Sequence, residues 1–221
     1  MIEEFLIPLT LSIKVTFVAS VFVIILGTVV GRILSIRDFK GKILLETIIM
    51  LPLVLPPTVV GFLLIVIFGR HSIIGKFIEW FFHQPIIFTW WAAVIASIIV
   101  SFPLMYQSAK TGFQGVDQEI EEAARNCGAN ELQVFIYISI PLAFKSIVTG
   151  SILSIARALG EFGATLMFAG NIPGQTQTVP TAIYMAIDSG NMKMAWLWVI
   201  SLVIISFIML MIVQLNQKIY N

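Results

Sequence analysis

Few side chains in this sequence could do chemistry, and most of them sit in two places. The first is the series Ser151, Ser154, Arg157, Glu161 and Thr165. Steps of three and four residues predict one stripe of an α-helix, with Arg157 and Glu161 close enough to pair. The surrounding sequence is apolar. A lone charge there would be expensive, and a pair facing a helix bundle is far less so. Two roles fit the pair: a structural ion pair that fixes packing, or the border of an anion path or gate. In the second role, nearly cancelled charge would pass an anion without trapping it. Ala156, Ala158, Gly160, Gly163 and Ala164 surround the stripe and permit close helix approach. No base stands beside the hydroxyls, so the stripe lacks a nucleophile–base pair.

The second place is Gly112 to Pro141. Asp117, Glu119, Glu121, Glu122 and Glu131 lie here, five of the chain's 12 acidic residues. So much charge places the stretch in water. It reads as helix, break, helix. Asp117 can cap a first helix, Gly128 can end it in a left-handed conformation, and Asn130 can cap the next. Pro141 marks a further boundary. By local pattern alone this is either a solvated loop or a docking element. Ala123 and Ala124 would give a partner a smooth surface, and Gly128 a sharp turn.

Several chemistries are excluded. His71 and His83 stand 12 apart without a cysteine or acidic cluster, which argues against a metal site. Cys127 is the single cysteine, so no internal disulfide is possible. There is no Gly-rich phosphate loop, no His-Glu-x-x-His and no nucleophile elbow. A net charge of +1 without a basic face argues against nucleic acid. Neither a catalytic residue nor a cofactor is expected.

The elements that hold these residues are membrane spans. Of the 221 residues, 58% are hydrophobic and only 11% charged, against about 25% charged in soluble domains. The fold class is all-α, a polytopic membrane protein. Runs of about 20 apolar residues predict five transmembrane helices, near 8–31, 44–68, 87–108, 143–168 and 195–215. They form a single domain, 1–221, with a cytoplasmic segment at about 110–142. Lys and Arg set the orientation. Arg32, Arg37, Lys40, Lys42, Lys110, Arg125, Lys145 and Lys218 fall on one side, and Arg70, Lys76 and Lys193 on the other. The N-terminus is therefore expected outside and the C-terminus in the cytoplasm. The acidic start (Glu3, Glu4) argues against a cleaved secretory signal.

Within this frame, Pro52, Pro56 and Pro57 must disrupt the second span. Freed carbonyls at membrane depth are tolerable only against protein or a water-filled cavity. Pro56 and Pro57 are thus candidates for a kinked helix beside a path, or for a merely structural kink. Lys14 snorkels outward or attracts anions. Trp80, Phe81, Phe82, Trp90, Trp91, Trp196 and Trp198 read as lipid anchors on the outer side. Residues 169–194 form an external loop suited to meeting a delivery protein. Within it, 181–187 could make a short helix at the interface.

The spacing Glu122-Ala123-Ala124, Gly128, Ile138-x-Ile140-Pro141 resembles the EAA signature of ABC importer permeases, with Ile140 where the family has Leu. Leu51-Pro-Leu-Val-Leu-Pro-Pro-Thr-Val-Val-Gly61 is similar to the second span of molybdate permeases. Ala156-Arg-Ala-Leu-Gly-Glu-Phe-Gly-Ala-Thr165 with Asn171-Ile-Pro-Gly174 resembles their fourth span and outer loop. Sulfate permeases share the Arg-Ala-x-Gly-Glu-Phe-Gly element. The wording at Pro173–Thr176 and Val179–Tyr184 leans to molybdate. The resemblance implies a type I importer permease in a bacterial or archaeal cell membrane. It implies a homodimer whose interface holds the oxyanion path. It also implies two cytoplasmic ATPase subunits docked on a coupling helix at Glu122, and an external molybdate-binding protein. Molybdate would be the substrate, tungstate being hard to distinguish. A sulfate or thiosulfate permease is the alternative. A secondary anion transporter or channel is a third reading, disfavoured because no inverted repeat is visible and because the acidic connector would have no purpose.

Overall fold

A computed structural model describes residues 2–219, without the side chains of residues 213 and 216–219. Among them are eleven α-helices and no strand. In order they are α1 (Ile2–Ile36), α2 (Lys42–Val54), α3 (Pro57–Phe68), α4 (Ile73–Phe82), α5 (Trp90–Gln114), α6 (Gln118–Asn126), α7 (Glu131–Val134), α8 (Ile140–Leu159), α9 (Gly163–Ala169), α10 (Val179–Asp188) and α11 (Met192–Ile219). A π turn, Phe135–Ser139, joins α7 to α8.

Four stretches are long and apolar enough to cross a membrane: Ile2–Ile36, Trp90–Gln114, Glu131–Leu159 and Met192–Ile212. A fifth crossing arises if α3 and α4, bent by 66° at their junction, act as one broken span. The α5 helix is the central post. Its buried face (Val94, Val100, Met105 and Ala109 among others) packs on α1 and α8. Small residues at these seams allow close approach, which drives helix association in lipid, where the hydrophobic effect supplies little.

The structure corrects the expected spans in several places. The helix expected over 44–68 is divided. Leu55 is extended (φ −68, ψ 144) because a residue before proline is pushed out of the α region. Pro57 then opens α3, where its missing N–H costs nothing. The helix expected over 143–168 begins earlier and ends earlier. It starts at Glu131, runs through the π turn, and stops at Leu159; α9 follows after a break at Gly160–Phe162. Pro141 is no boundary. In the π turn Ile140 N–H donates to the Phe135 carbonyl, five residues back, and this shift of the hydrogen-bond ladder precedes the proline.

The short helix expected at the outer interface exists as α10, but it is not laid on the surface. Val179, Thr181 and Ala182 are fully buried, packed with Met194, Ala195 and Trp198 of α11 and with Phe5 and Leu9 of α1. Its first N–H, from Val179, donates to Ser12 Oγ of α1 at 2.7 Å. Trp198 accordingly is no lipid anchor. It is buried, and its indole N–H donates to the Phe5 carbonyl at 3.1 Å. Trp80, Phe81, Phe82, Trp91 and Trp196 are exposed, as lipid-facing rings would be.

Candidate functional site

The acidic connector folds as its capping residues require. Asp117 accepts from the Glu119 N–H at 2.9 Å and starts α6. Gly128, at φ +90°, closes it. Its N–H donates to Arg125 O, and the Ala129 N–H to Ala124 O. Asn130 and Gln133 form a reciprocal capping box at the start of α7, with both bonds at 2.9 Å. The result is a nine-residue helix presenting Glu122 and Ala123 to solvent, with Ala124 half-buried and Gly128 exposed at its end. No partner of Glu122 is found among the described residues. A cavity of ≈330 Å³ beside it is lined by Arg32, Phe113, Glu121, Glu122 and Arg125, among others.

Glu121, not Glu122, is the carboxylate the chain itself uses. It is only 5% exposed. Arg32 Nη2 at the end of α1 meets Glu121 Oε2 at 2.8 Å, and Ser139 Oγ of the π turn donates to Oε1 at 2.7 Å. Arg125 adds a longer contact of 3.3 Å and holds Glu131 at 2.7 Å. Burial alone would raise the Glu121 pKa. The bonds from Arg32, Ser139 and Arg125 outweigh it and hold the carboxyl below the usual carboxylate range. Sequence reasoning missed this residue. Its one visible signal was the i, i+4 pairing with Arg125.

The second cluster lies at the far end of α8, about 25 Å along the helix axis from the π turn at 1.5 Å per residue. Ser151 and Ser154 turn their hydroxyls back onto the carbonyls of Ile147 (2.7 Å) and Ser151 (2.9 Å). Arg157 Nη1 meets Glu161 Oε2 at 2.6 Å, so the predicted pair forms. The predicted continuous stripe does not. Helix α8 ends before Glu161, which sits in the break with its side chain 1% exposed. Its other oxygen accepts from the Ala164 N–H at 2.8 Å and so caps α9. Thr165, in α9, is buried.

The two helix breaks are brought together. A Cβ placed on Gly163 would lie 2.8 Å from the Cβ of Pro57. The first turns of α3 and α9 therefore touch, with Pro57 and Gly163 at the contact. Pro56, Pro57 and Gly160 are exposed on the isolated chain, so both breaks open on its surface. Ser154 is buried on α8, and nothing places it against the prolines. Chemically the site holds a shielded ion pair, two helix starts and no nucleophile.

This is an all-helical architecture with four to five candidate membrane spans and a solvent-exposed acidic helix, α6. The chain aligns over 99% of its length with 95% of a chain of the inward-facing MetNI methionine ABC transporter, at TM-score 0.75 and 18% identity. It thus has the fold of a type I ABC importer permease. Residues 23–220 match the model of the binding-protein-dependent transport system inner membrane component, and the chain belongs to that family. It is 66% identical over 212 residues to the transport system permease protein YvgM of Bacillus subtilis (strain 168), covering 96% of this chain and 93% of that one. It is 43% identical over 194 residues to the molybdenum transport system permease protein ModB of Escherichia coli (strain K12), covering 87% and 85%. It is accordingly a non-catalytic, multi-pass membrane subunit of the molybdenum permease group.

Proposed function

We propose that this chain forms the oxyanion path of an ATP-driven molybdate importer. Two copies would enclose the path. Two ATPase subunits would dock beneath, on α6 at Glu122, Ala123 and Ala124, and an external molybdate-binding protein would deliver substrate from above. The N-terminus lies outside and the C-terminus in the cytoplasm, in keeping with the excess of Lys and Arg around α6. Closure of the ATPases on ATP draws the two α6 helices together and opens the outer side, a rigid-body alternation. Pro56, Pro57, Arg157, Glu161 and Thr165 stand at the gate, and Ser154 on the helix that leads to it. Tungstate, a tetrahedral dianion of the same charge, uses the same path.

The observation that carries this reading is α6 itself. It is an exposed acidic helix with a smooth Ala123–Ala124 face, fixed to the foot of a span, in a chain 43% identical to a molybdenum permease. The test is uptake of labelled molybdate in cells lacking their own high-affinity system, supplied with this chain, its ATPase and its binding protein. Chain-dependent uptake that resists excess sulfate supports the reading. Uptake abolished by sulfate reassigns the path to sulfate, and uptake without the chain removes the assignment.

A further inference from the structure

Glu121 and Glu122 are neighbours with opposite fates. Glu122 points to solvent without a partner among the described residues, while Glu121 is the one buried residue of α6. Burying a carboxylate is costly unless it is fully hydrogen-bonded and paired. Here the compensation comes from three elements. Arg32 brings the last turns of α1, Ser139 the π turn at the foot of α8, and Arg125 the last turn of α6. Arg32 is itself held over the Phe113 ring at 5.5 Å, and Phe113 packs on Phe135 of the π turn at 6.0 Å. Arg125 carries the link on to Glu131 of α7 through two nitrogens, at 2.7 and 3.2 Å.

No apolar side chain of α6 is buried among the described residues, whereas the charge-assisted hydrogen bonds of Glu121 are directional and strong. We propose that Glu121 is the positioning residue of coupling: its carboxylate fastens α6 to α1 through Arg32 and to the foot of α8 through Ser139, so that displacement of α6 moves both spans together. Glu122 faces the partner and Glu121 faces the permease. This rests on the reading of α6 as the ATPase contact. From Ser139 the connection continues along one helix to Arg157 at the gate.

The experiment uses the whole transporter in lipid vesicles, with its ATPase and binding protein, and molybdate as the probe. Two quantities are read: ATPase recovered per permease, and molybdate moved per ATP hydrolysed. Glu121→Gln and Arg32→Gln should each lower molybdate per ATP about tenfold while ATPase recovery stays within about twofold. A purely structural role would change recovery and leave the ratio intact. The double variant should be no worse than either single, because both remove one link. Ser139→Ala should give a smaller loss, and Arg32→Lys should restore part of the ratio. If Glu121→Gln yields no assembled complex, Arg32→Lys and Ser139→Ala decide by the same ratio. A wild-type ratio in the variants that assemble, or losses that multiply in the double, would overturn the proposal. Cross-linking separates this from failure of the underlying reading. With Cys127→Ser and Ala123→Cys, absence of a link to the ATPase sinks the α6 contact itself. A link together with an unchanged ratio sinks only the role of Glu121.

Discussion

Glu161 holds two things at once across the break between α8 and α9. One oxygen meets Arg157 at 2.6 Å, and the other accepts the Ala164 N–H at 2.8 Å. The pair is therefore also a helix cap. Removing Arg157 strands a buried carboxylate, at a cost of about 3–5 kcal/mol. Arg157→Ala should lower the unfolding midpoint in detergent and abolish uptake. Adding Glu161→Gln should recover stability, because a neutral amide oxygen can still accept from Ala164. Additive losses in the unfolding measurement would argue against a pair.

Gly163 tests the contact between the two breaks. A methyl group there would sit 2.8 Å from the Cβ of Pro57. Gly163→Ala must push α3 and α9 apart, an overpacking cost of about 1–3 kcal/mol. Uptake should fall while the amount of protein in the membrane changes little. Unchanged uptake kinetics would show that the α3–α9 contact is not part of the gate.

The connector should loosen in acid, and the sign follows from Glu121. Its folded pKa lies below its ordinary value of 4.5. Its contribution is thus fully present above that value and lost as pH falls through the lower, folded one. Hydrogen exchange over residues 117–140, corrected for intrinsic rates, should show protection lost in this acidic window. Glu121→Gln should flatten that dependence. A wild-type profile in the variant would assign the change to other carboxylates.

Gly128 adopts φ +90° with open space around its Cα. Gly128→Ala meets no clash and should cost only conformational strain, about 1–2 kcal/mol. Gly128→Asn should cost less, since Asn tolerates this region. Thermal unfolding of the two variants checks the order.

What was legible in the sequence was local. Asp117, Gly128 and Asn130 act on backbone groups within five residues of themselves, so their spacing alone set the ends of α6 and the start of α7. Pro56 and Pro57 announced the α2–α3 break by their chemistry. The α8–α9 break carried no such mark: Ala158-Leu-Gly-Glu-Phe-Gly163 contains no proline, and its glycines are tolerable inside a membrane helix. The burial of Glu121 could not be read from its spacing to Arg125, because its main partner, Arg32, lies 89 residues away. The burial of α10 was equally non-local. Its polar groups are satisfied by Thr178–Thr181 contacts and by Ser12, which lies 167 residues from Val179.

We propose that α6 couples this permease to ATP hydrolysis by a separate subunit. The most direct measurement is molybdate accumulation in vesicles holding the chain and its ATPase, with binding protein outside and ATP inside, for wild type and Glu122→Lys. Wild type should accumulate molybdate only when all four components are present. Glu122→Lys should stay folded in the membrane and lose accumulation. Normal ATP-driven accumulation by Glu122→Lys, or accumulation without the ATPase, would contradict coupling through α6.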